Sequence, residues 1–264
     1  MIKKQDILKH ILNKDDKILY SKVLEQLIFS NKKYEKTFSE FLPPLKATEI
    51  LQYIKKNNTF QNVEIFGGYE NAERVMLGFC PEYLELEKND FPICILEITY
   101  NEKYSRELTH RDFLGSLIGL GIDRSKIGDI ILDGNKAICF VEQDIANYIE
   151  FNLEKVGSTK IKIKSSSLKE YEIPKQNFEE KTIIVASLRL DSVLGHSFNL
   201  ARGKISDLIK GEKAFLNWAL ETSPAKIVKE NDIITLRNFG RIKILNISGK
   251  TKKDRIVLNI IKYS

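Results

Sequence analysis

The 264-residue sequence has few of the residues that build disulfide frameworks or metal sites. It contains three cysteines, Cys80, Cys94 and Cys139, with no CxxC pair and no Cys/His cluster at zinc-ligand spacing. Its three histidines are not spaced as metal ligands either. We therefore expect no disulfide framework, no metal and a reducing, cytoplasmic location.

Long apolar runs are also missing. No stretch approaches the roughly 18–20 apolar residues that a membrane-spanning helix needs, and no apolar stretch follows the N-terminal lysines, so we expect no signal peptide. Hydrophobic residues make up 42% and charged residues 30% of the chain, which is typical of a folded soluble protein. Secreted, membrane and fibrous proteins are therefore excluded as classes.

Positive charge is concentrated in the C-terminal third. Residues 181–264 contain 16 Lys and Arg against 7 Asp and Glu, a net charge of +9, whereas residues 1–180 contain 26 against 29. A basic module favours a nucleic-acid partner because its cations displace counterions from phosphates, although basic surfaces also serve solubility. Polar residues at 165–167 and 175–180 predict connectors, and we place the main boundary near residues 172–182.

Hydrophobic periodicity before this boundary predicts an α+β body. A division near residue 80 separates an N-terminal helical and α/β module (1–80) from an α/β plait that resembles RRM domains (81–174). The predicted helices lie within 4–57, with a break at Pro43–Pro44, and at 109–120 and 144–153; the predicted strands lie at 63–66, 74–79, 92–98, 129–132, 137–141 and 160–164.

The last of these strands alternates strictly between lysine and isoleucine, which places Lys160, Lys162 and Lys164 on one face. Two interpretations remain open. The lysines protect an edge strand against aggregation, or they form a nucleic-acid surface, and we favour the edge slightly.

The sequence contains no complete motif of the enzyme classes considered below. His110-Arg111-Asp112 matches the catalytic triplet of protein kinases, but Leu117 stands where the magnesium-binding Asn is required. The glycines of residues 115–121 are not followed by GK[ST], so there is no P-loop, and no GxSxG is present. We expect no catalysis, no cofactor, no membrane partner and no small-molecule substrate.

The C-terminal module begins with two predicted helices. The first spans 188–194, with Ser187 as a candidate N-cap and Leu190, Val193 and Leu194 facing inward. The second is predicted to start at a cap on Asn199 and to end at Gly211 in the left-handed conformation. Its core-facing residues are Ala201, Ile205, Leu208 and Ile209.

Strands are predicted to follow at 214–218, 233–237, 241–245 and 256–261. In the third of these, Ile242 and Ile244 point one way while Arg241 and Lys243 point the other.

This module resembles the S4 RNA-binding domain. The resemblance lies in Arg189-Leu190-Asp191, then Arg202, Leu208-Ile209, Lys213, Asn217 and Asp232-Ile233. It implies two helices and a small sheet in residues 181–264, with a basic surface for structured RNA and with Asp191 ordering Arg189 or the helix end. The candidate RNA-binding residues are Arg189, Asp191, Arg202, Lys204, Lys210, Lys213, Asn217, Trp218, Arg237, Arg241 and Lys243.

The module departs from the S4 pattern at three positions. Ala201 replaces the usual serine, while Glu212 and Asn231 stand where glycine is usual. Asn tolerates a positive φ, whereas Glu212 departs from the usual loop residue and adds a negative charge.

A wider resemblance covers nearly the whole chain. Residues 66–74 (FGGYENAER), 108–115 (LTHRDFLG), 127–129 (IGD) and 237–241 (RNFGR) are similar to motifs of the YlmH family of bacterial S4-domain proteins. Asn238 replaces a glycine that the family usually has. The resemblance implies a cytosolic protein linked to the large ribosomal subunit, to rescue of stalled peptidyl-tRNA complexes and, in some members, to cell division.

Three hypotheses follow. The leading one is a non-catalytic protein that binds structured rRNA or tRNA at the large ribosomal subunit, in which Trp218 or Tyr69 stacks on a base or, more simply, packs. The second is an RNA-modifying enzyme of the pseudouridine synthase or rRNA methyltransferase type, although no Gly-rich cofactor turn is found. The third is a protein-interaction role for the acidic body.

Overall fold

The chain divides into two units, residues 1–173 and 174–264, in the computed structural model. The structure describes residues 13–56, 62–70, 72–101, 106–171, 178–217 and 219–263. Residues 4–12 of the predicted helical region 4–57 lie outside these ranges, as does the candidate Trp218. Within them, no helix is long and apolar enough to cross a membrane.

In the residues that the structure describes, the first unit begins with two helices and a three-stranded antiparallel sheet of order β1-β3-β2. Its elements are α1 (Lys14–Lys33), β1 (Thr37–Phe38), α2 (Pro44–Lys56), β2 (Asn62–Phe66) and β3 (Met76–Cys80). Asn13 caps α1 by accepting the backbone N–H groups of Asp15 and Asp16. Pro44 occupies the first helical position of α2, where its missing N–H costs nothing.

A five-stranded antiparallel sheet with two helices completes this unit. Its elements are β4 (Ile93–Tyr100), α3 (His110–Gly119), β5 (Ile127–Asp133), β6 (Lys136–Glu142), α4 (Gln143–Asn152), β7 (Lys155–Val156) and β8 (Thr159–Ser167). The strand order β5-β6-β4-β8-β7 gives the βαββαβ connectivity of an α/β plait, extended by the short β7. Thr109 and Asp112 form a capping box at the start of α3, as the N-cap prediction required.

The two faces of this sheet are covered differently. Leu96, Ile98 and Cys139 pack against the helices α3 and α4, in a core that includes Phe113 and Ile149. The opposite face carries Ile95, Ile138 and Phe140, and these pack against a covering layer. We define the covering layer as Phe38, Phe41, Phe66, Tyr69, Met76 and Phe91.

The second unit is a six-stranded antiparallel sheet of order β11-β10-β12-β13-β14-β9 with two short helices. Its elements are β9 (Phe178–Val185), α5 (Leu190–Phe198), α6 (Arg202–Lys210), β10 (Ala214–Leu216), β11 (Ala219–Leu220), β12 (Ile233–Leu236), β13 (Gly240–Lys250) and β14 (Ile256–Tyr263). The fully buried Val193 and Ile205 of the helices belong to one core with Ile242 and Leu258 of the sheet.

One connector prediction was wrong, and a second was wrong over residues 178–180, while its residues 175–177 lie outside the described residues. Residues 165–167 belong to β8 and pair with Cys94–Leu96 of β4, because tertiary pairing overrides the turn preference of serine. The second predicted connector, 175–180, overlaps β9, whose Phe178 pairs with Tyr263. The sheet of this unit is therefore larger than the small sheet that the S4 resemblance implies.

The helix-end predictions in this unit also needed correction. Arg189, not Ser187, is the N-cap residue of α5. Asn199 ends α5 in the left-handed conformation, at φ 53°, and α6 begins at Arg202 after an N-cap at Ala201. Asn suits both a helix start and a left-handed helix end, so its presence alone does not decide between them.

Ala201 is consequently exposed rather than part of the core, while Ile205 and Ile209 are fully buried as predicted. Gly211 ends α6 with φ −83°, and the left-handed residue is its neighbour Glu212.

Candidate nucleic-acid interface

A buried carboxylate organises the start of both helices in the second unit. Asp191 lies in the first turn of α5, and its side chain is 5% exposed. Its two oxygens accept hydrogen bonds from Arg189, at 3.2 and 2.9 Å, and from Arg202, at 3.1 and 3.2 Å. We call these three residues the arginine fork.

The arginine fork keeps its cations at the surface. The side chains of Arg189 and Arg202 are 36% and 59% exposed. Burial acts to raise the pKa of Asp191, but the hydrogen bonds from both guanidinium groups hold that pKa below its ordinary value. Asp191 therefore stays ionised and fixes two arginines whose remaining N–H groups are available to an anion.

Aromatic rings lie beside further cations on the helix-bearing side of the sheet. The rings of Phe198 and Phe239 are 6.4 Å apart. The Lys204 ammonium lies 5.7 Å from the Phe239 ring centroid, and the Lys262 ammonium lies 5.5 Å from that of Phe198. Lys204 is among the residues predicted from the sequence, whereas Lys262, Phe198 and Phe239 are not. In the sequence, Lys262 is only one more lysine near the C-terminus, and Phe239 is noted only as part of the 237–241 motif.

The loops after α6 hold other predicted residues in place. Lys210 is exposed at the end of α6, and the carbonyl of Lys213 accepts a 2.8 Å hydrogen bond from the backbone N–H of Arg237. The Arg237 guanidinium lies 5.6 Å from the centroid of the Phe215 ring. The Asn217 side chain donates to Asp232 at 2.8 Å and accepts from the Ile233 N–H at 2.9 Å. Asn217 thus shapes the loop through both of its polar atoms.

The remaining predicted residues lie on the opposite face of the sheet. Ile242 and Ile244 of β13 are buried beneath the helices, so Arg241 and Lys243 point away from them, as the alternation predicted. Arg241 donates a 3.2 Å hydrogen bond to Thr235, its cross-strand partner. The predicted set is therefore divided between two faces, with the arginine fork and Lys204 on the helix side.

The departures from the glycine pattern share one backbone conformation. Glu212, Asn231 and Asn238 have φ values of 61°, 67° and 71°, all in the left-handed region. Glycine adopts this region without a steric cost, whereas a residue with a Cβ adopts it only at a cost in free energy. These loops consequently have the geometry that glycine would give, and Glu212 is the most costly of the three because Asn tolerates the left-handed region better.

Two motifs of the first unit, residues 66–74 and 127–129, meet in one polar cluster. Asp129, which is 8% exposed, accepts hydrogen bonds from the Tyr69 hydroxyl at 2.6 Å and the Glu73 N–H at 2.5 Å. Arg74 donates to the carbonyls of Ile127 at 2.8 Å and Phe41 at 2.7 Å. Three distant segments are thereby joined where the covering layer meets the sheet.

Glycines in the same motifs allow close packing there. A Cβ on Gly68, which has φ 101°, would lie 2.4 Å from the Phe140 ring, and a Cβ on Gly128 would lie 2.7 Å from the Phe41 ring. The Tyr69 and Phe140 ring centroids are 5.0 Å apart. These rings are packed inside the unit, so the half of the sheet face that RRM domains use for base stacking is closed here.

The kinase-like triplet has a structural explanation for its aspartate. Asp112 accepts hydrogen bonds from Arg106 at 2.6 Å and from the N–H and hydroxyl of Thr109 at 2.8 Å each. These hydrogen bonds lower the pKa of Asp112, and the bond from Arg106 has the largest effect. His110 and Arg111 are exposed beside this cap. Among the residues that the structure describes, no three His, Cys, Asp or Glu side chains are grouped to hold a metal ion.

The chain is similar in sequence to known proteins. Residues 87–170 match a family profile described as "Putative RNA-binding domain in YlmH". The chain is 30% identical over 250 residues to "Ribosome-associated protein quality control protein P2" of Bacillus subtilis, a match that covers 95% of this chain and 96% of the relative.

Two further matches are narrower. A structure titled "Cell division protein ylmH from Streptococcus pneumoniae" is 24% identical with a TM-score of 0.48, and it covers 61% of this chain and 96% of that one. "Dephospho-CoA kinase" of Campylobacter jejuni is 34% identical over 89 residues, which cover 31% of this chain and 44% of that relative. The profile includes the segments 108–115 and 127–129, and the B. subtilis relative matches nearly the whole chain; the chain belongs to the YlmH family.

Proposed function

We propose that this protein is a non-catalytic RNA-binding factor of the bacterial cytoplasm that acts on the large ribosomal subunit. Residues 181–264 serve as an S4 domain that binds structured rRNA or tRNA, and the factor acts in quality control of stalled ribosomes. The full-length relative in B. subtilis, whose name is ribosome-associated protein quality control protein P2, supports the setting.

The arginine fork is the observation that carries this proposal. A carboxylate that is 5% exposed holds two arginines at the surface of a module with a net charge of +9. Fixed guanidinium groups pay less entropy on binding than free ones and bind phosphate through two parallel hydrogen bonds. Lys204, Lys262 and the adjoining rings extend this surface with groups suited to backbone contact and base stacking.

Sedimentation on a sucrose gradient tests the proposal. We expect the wild-type protein to travel with the large subunit and Arg202→Glu/Lys213→Glu to remain at the top, because the reversal replaces two cations on the proposed surface by repulsive charges. Lys14→Glu/Lys17→Glu is the matched control, since it makes the same charge change on two exposed residues of α1. Wild-type protein that stays at the top would overturn the ribosomal setting.

Catalysis is tested separately. Incubation of the protein with rRNA, followed by mass spectrometry of the nucleosides, is expected to show no new modification. A modified nucleoside that depends on the protein would instead support an RNA-modifying enzyme.

A further inference from the structure

The plait of the first unit has a second concentration of positive charge, on the part of its sheet that the covering layer leaves open. The register places Lys162 opposite Thr99 and Lys164 opposite Glu97, so these side chains share the face opposite the helices. Lys160 follows by alternation, and Lys155 is its direct partner on β7. Lys136 lies opposite Thr99 on β6, the other strand that pairs with β4, and shares the same face. We call these five residues the lysine face.

The isoleucines of the same strand confirm the orientation. Ile161 and Ile163 pack against the core beneath α3 and α4, and Ser165 donates a 2.6 Å hydrogen bond to Glu150 of α4. The three intervening lysines therefore lie on the side away from the helices, and all three are exposed.

Acidic groups are few on this face and lie at one side of it. Glu97 accepts from Tyr171 at 3.1 Å and lies 3.6 Å from the Lys136 ammonium, while Asp133 is the cross-strand partner of Lys136. Within the described ranges, Lys155, Lys160, Lys162 and Lys164 form no ion pair. The charge on β7 and β8 is thus largely uncompensated, although Glu97 lies directly opposite Lys164 on the neighbouring strand β4.

Edge protection explains only part of this arrangement. Beyond residue 160, β8 has a free edge in the described part of the sheet, so lysines there do discourage pairing with another strand. However, Lys155 lies directly opposite Lys160, and like charges in that position destabilise a sheet. One lysine would protect the edge, whereas four unpaired lysines on adjacent strands create a field that attracts a polyanion.

The closed half of the sheet determines how such a polyanion would bind. Phe140 is fully buried and packs against the half-buried Tyr69 of the covering layer, so the Phe140 ring is not available for base stacking. The open half carries flexible ammonium groups, which are spaced about 6.8 Å apart along β8. Such groups bind phosphates through charge without reading bases.

We propose that the lysine face binds the sugar–phosphate backbone of RNA, independently of base sequence. This inference rests on the proposed function, since it assigns a second contact on the same RNA-bound factor. It places the RNA contact of residues 87–170 at β7 and β8, in contrast to the stacking face of an RRM.

The salt dependence of binding to protein-free 23S rRNA tests the proposal. In the full chain, Lys160→Gln/Lys162→Gln/Lys164→Gln should weaken binding roughly 10- to 100-fold near 0.15 M salt and reduce the slope of log K against log salt by about 2–3. Lys14→Gln/Lys17→Gln/Lys32→Gln, on exposed positions of α1, makes the same charge change and should leave the slope near that of wild type. Replacement of the three β8 lysines by arginine should retain binding.

The outcomes separate this inference from the proposed function. If wild type binds and both glutamine variants behave alike, the lysine face is not an RNA surface, although the proposed function stands. If the β8 variant binds naked rRNA normally but leaves the ribosome, the face contacts ribosomal protein and the inference is wrong. If the β8 variant binds normally but light scattering shows that it aggregates, these lysines only protect the edge of β8 against pairing with another strand. Wild type that does not bind rRNA or ribosomes overturns both.

Discussion

The two units use recognisable motifs for different purposes. In the first unit, Gly68, Arg74 and Asp129 belong to segments that resemble motifs of the family, yet they pack and hydrogen-bond within the unit. In the second unit, Arg189 and Arg202 are held by a buried carboxylate with their charge at the surface. A motif that identifies a family is therefore not by itself a binding site, and burial decides which kind it is.

The charge of each unit follows the same division. The first 180 residues carry a net charge of −3, and four of their lysines that form no ion pair within the described ranges lie together on the lysine face. Residues 181–264 carry +9, with cations on helices, loops and both sheet faces. Variants that separate stability from RNA affinity can therefore test the comparison.

The largest effect is expected at Gly68. Gly68→Ala places a Cβ 2.4 Å from the Phe140 ring at a φ of 101°, so it should reduce the free energy of unfolding by about 3 kcal/mol through backbone strain and overpacking. Calorimetry should show this loss, while RNA affinity below the melting temperature stays near that of wild type.

Gly115 of α3 provides the matched control. Nothing lies within 4 Å of the Cβ that Gly115→Ala would add, so this variant should keep or gain up to about 1 kcal/mol. The comparison between units would break if Gly68→Ala melted normally but bound RNA poorly, because the motif would then be a contact.

A smaller effect is expected at Asp191. Asp191→Asn weakens both hydrogen-bonded pairs of the arginine fork, so stability should fall by about 1–2 kcal/mol, since both arginines are partly solvated. RNA affinity should fall roughly fivefold, because two arginines must then be immobilised on binding. Asp207→Asn, on an exposed residue of α6, measures what the loss of one negative charge does alone.

The contribution of Asp191 to stability should depend on pH. The pKa of Asp191 is lowered in the folded protein, so its contribution is present above the ordinary carboxyl pKa of about 4 and is lost as pH falls through the lower folded value. The stability difference between wild type and Asp191→Asn should therefore narrow below about pH 4. A difference that stays constant to low pH would show that the ionised carboxylate is not its source.

Much of this architecture could be predicted from local patterns. The cap at Thr109 was recognisable from side-chain chemistry, and the inward positions of Leu190, Val193 and Ile242 from their spacing. These features depend on neighbours in sequence, so one sequence carries enough information for them.

Other features depend on partners that are distant in sequence. Residues 165–167 read as a connector because their strand partner lies some 70 residues earlier. The alternation predicted that Arg241 and Lys243 avoid the core, but only the packing of α5 and α6 shows that they lie opposite the arginine fork. Lys262 likewise became notable only beside Phe198.

The smallest predicted effect concerns Glu212, where strain and charge can be separated. Glu212 adopts φ 61° between Lys210 and Lys213, so it combines a strained backbone with a negative charge near proposed contacts. Glu212→Gly should raise the free energy of unfolding by about 0.5 kcal/mol, because relief of left-handed strain exceeds the added freedom of the unfolded chain. Glu212→Gln retains the strain and should leave stability unchanged within about 0.5 kcal/mol. Both variants should bind RNA a few-fold more tightly, since each removes the same charge. Chemical denaturation measures the strain: if the glycine variant is no more stable than the glutamine variant, this loop carries no strain. RNA binding measures the charge: if wild type and both variants bind RNA equally, Glu212 lies away from the bound phosphates.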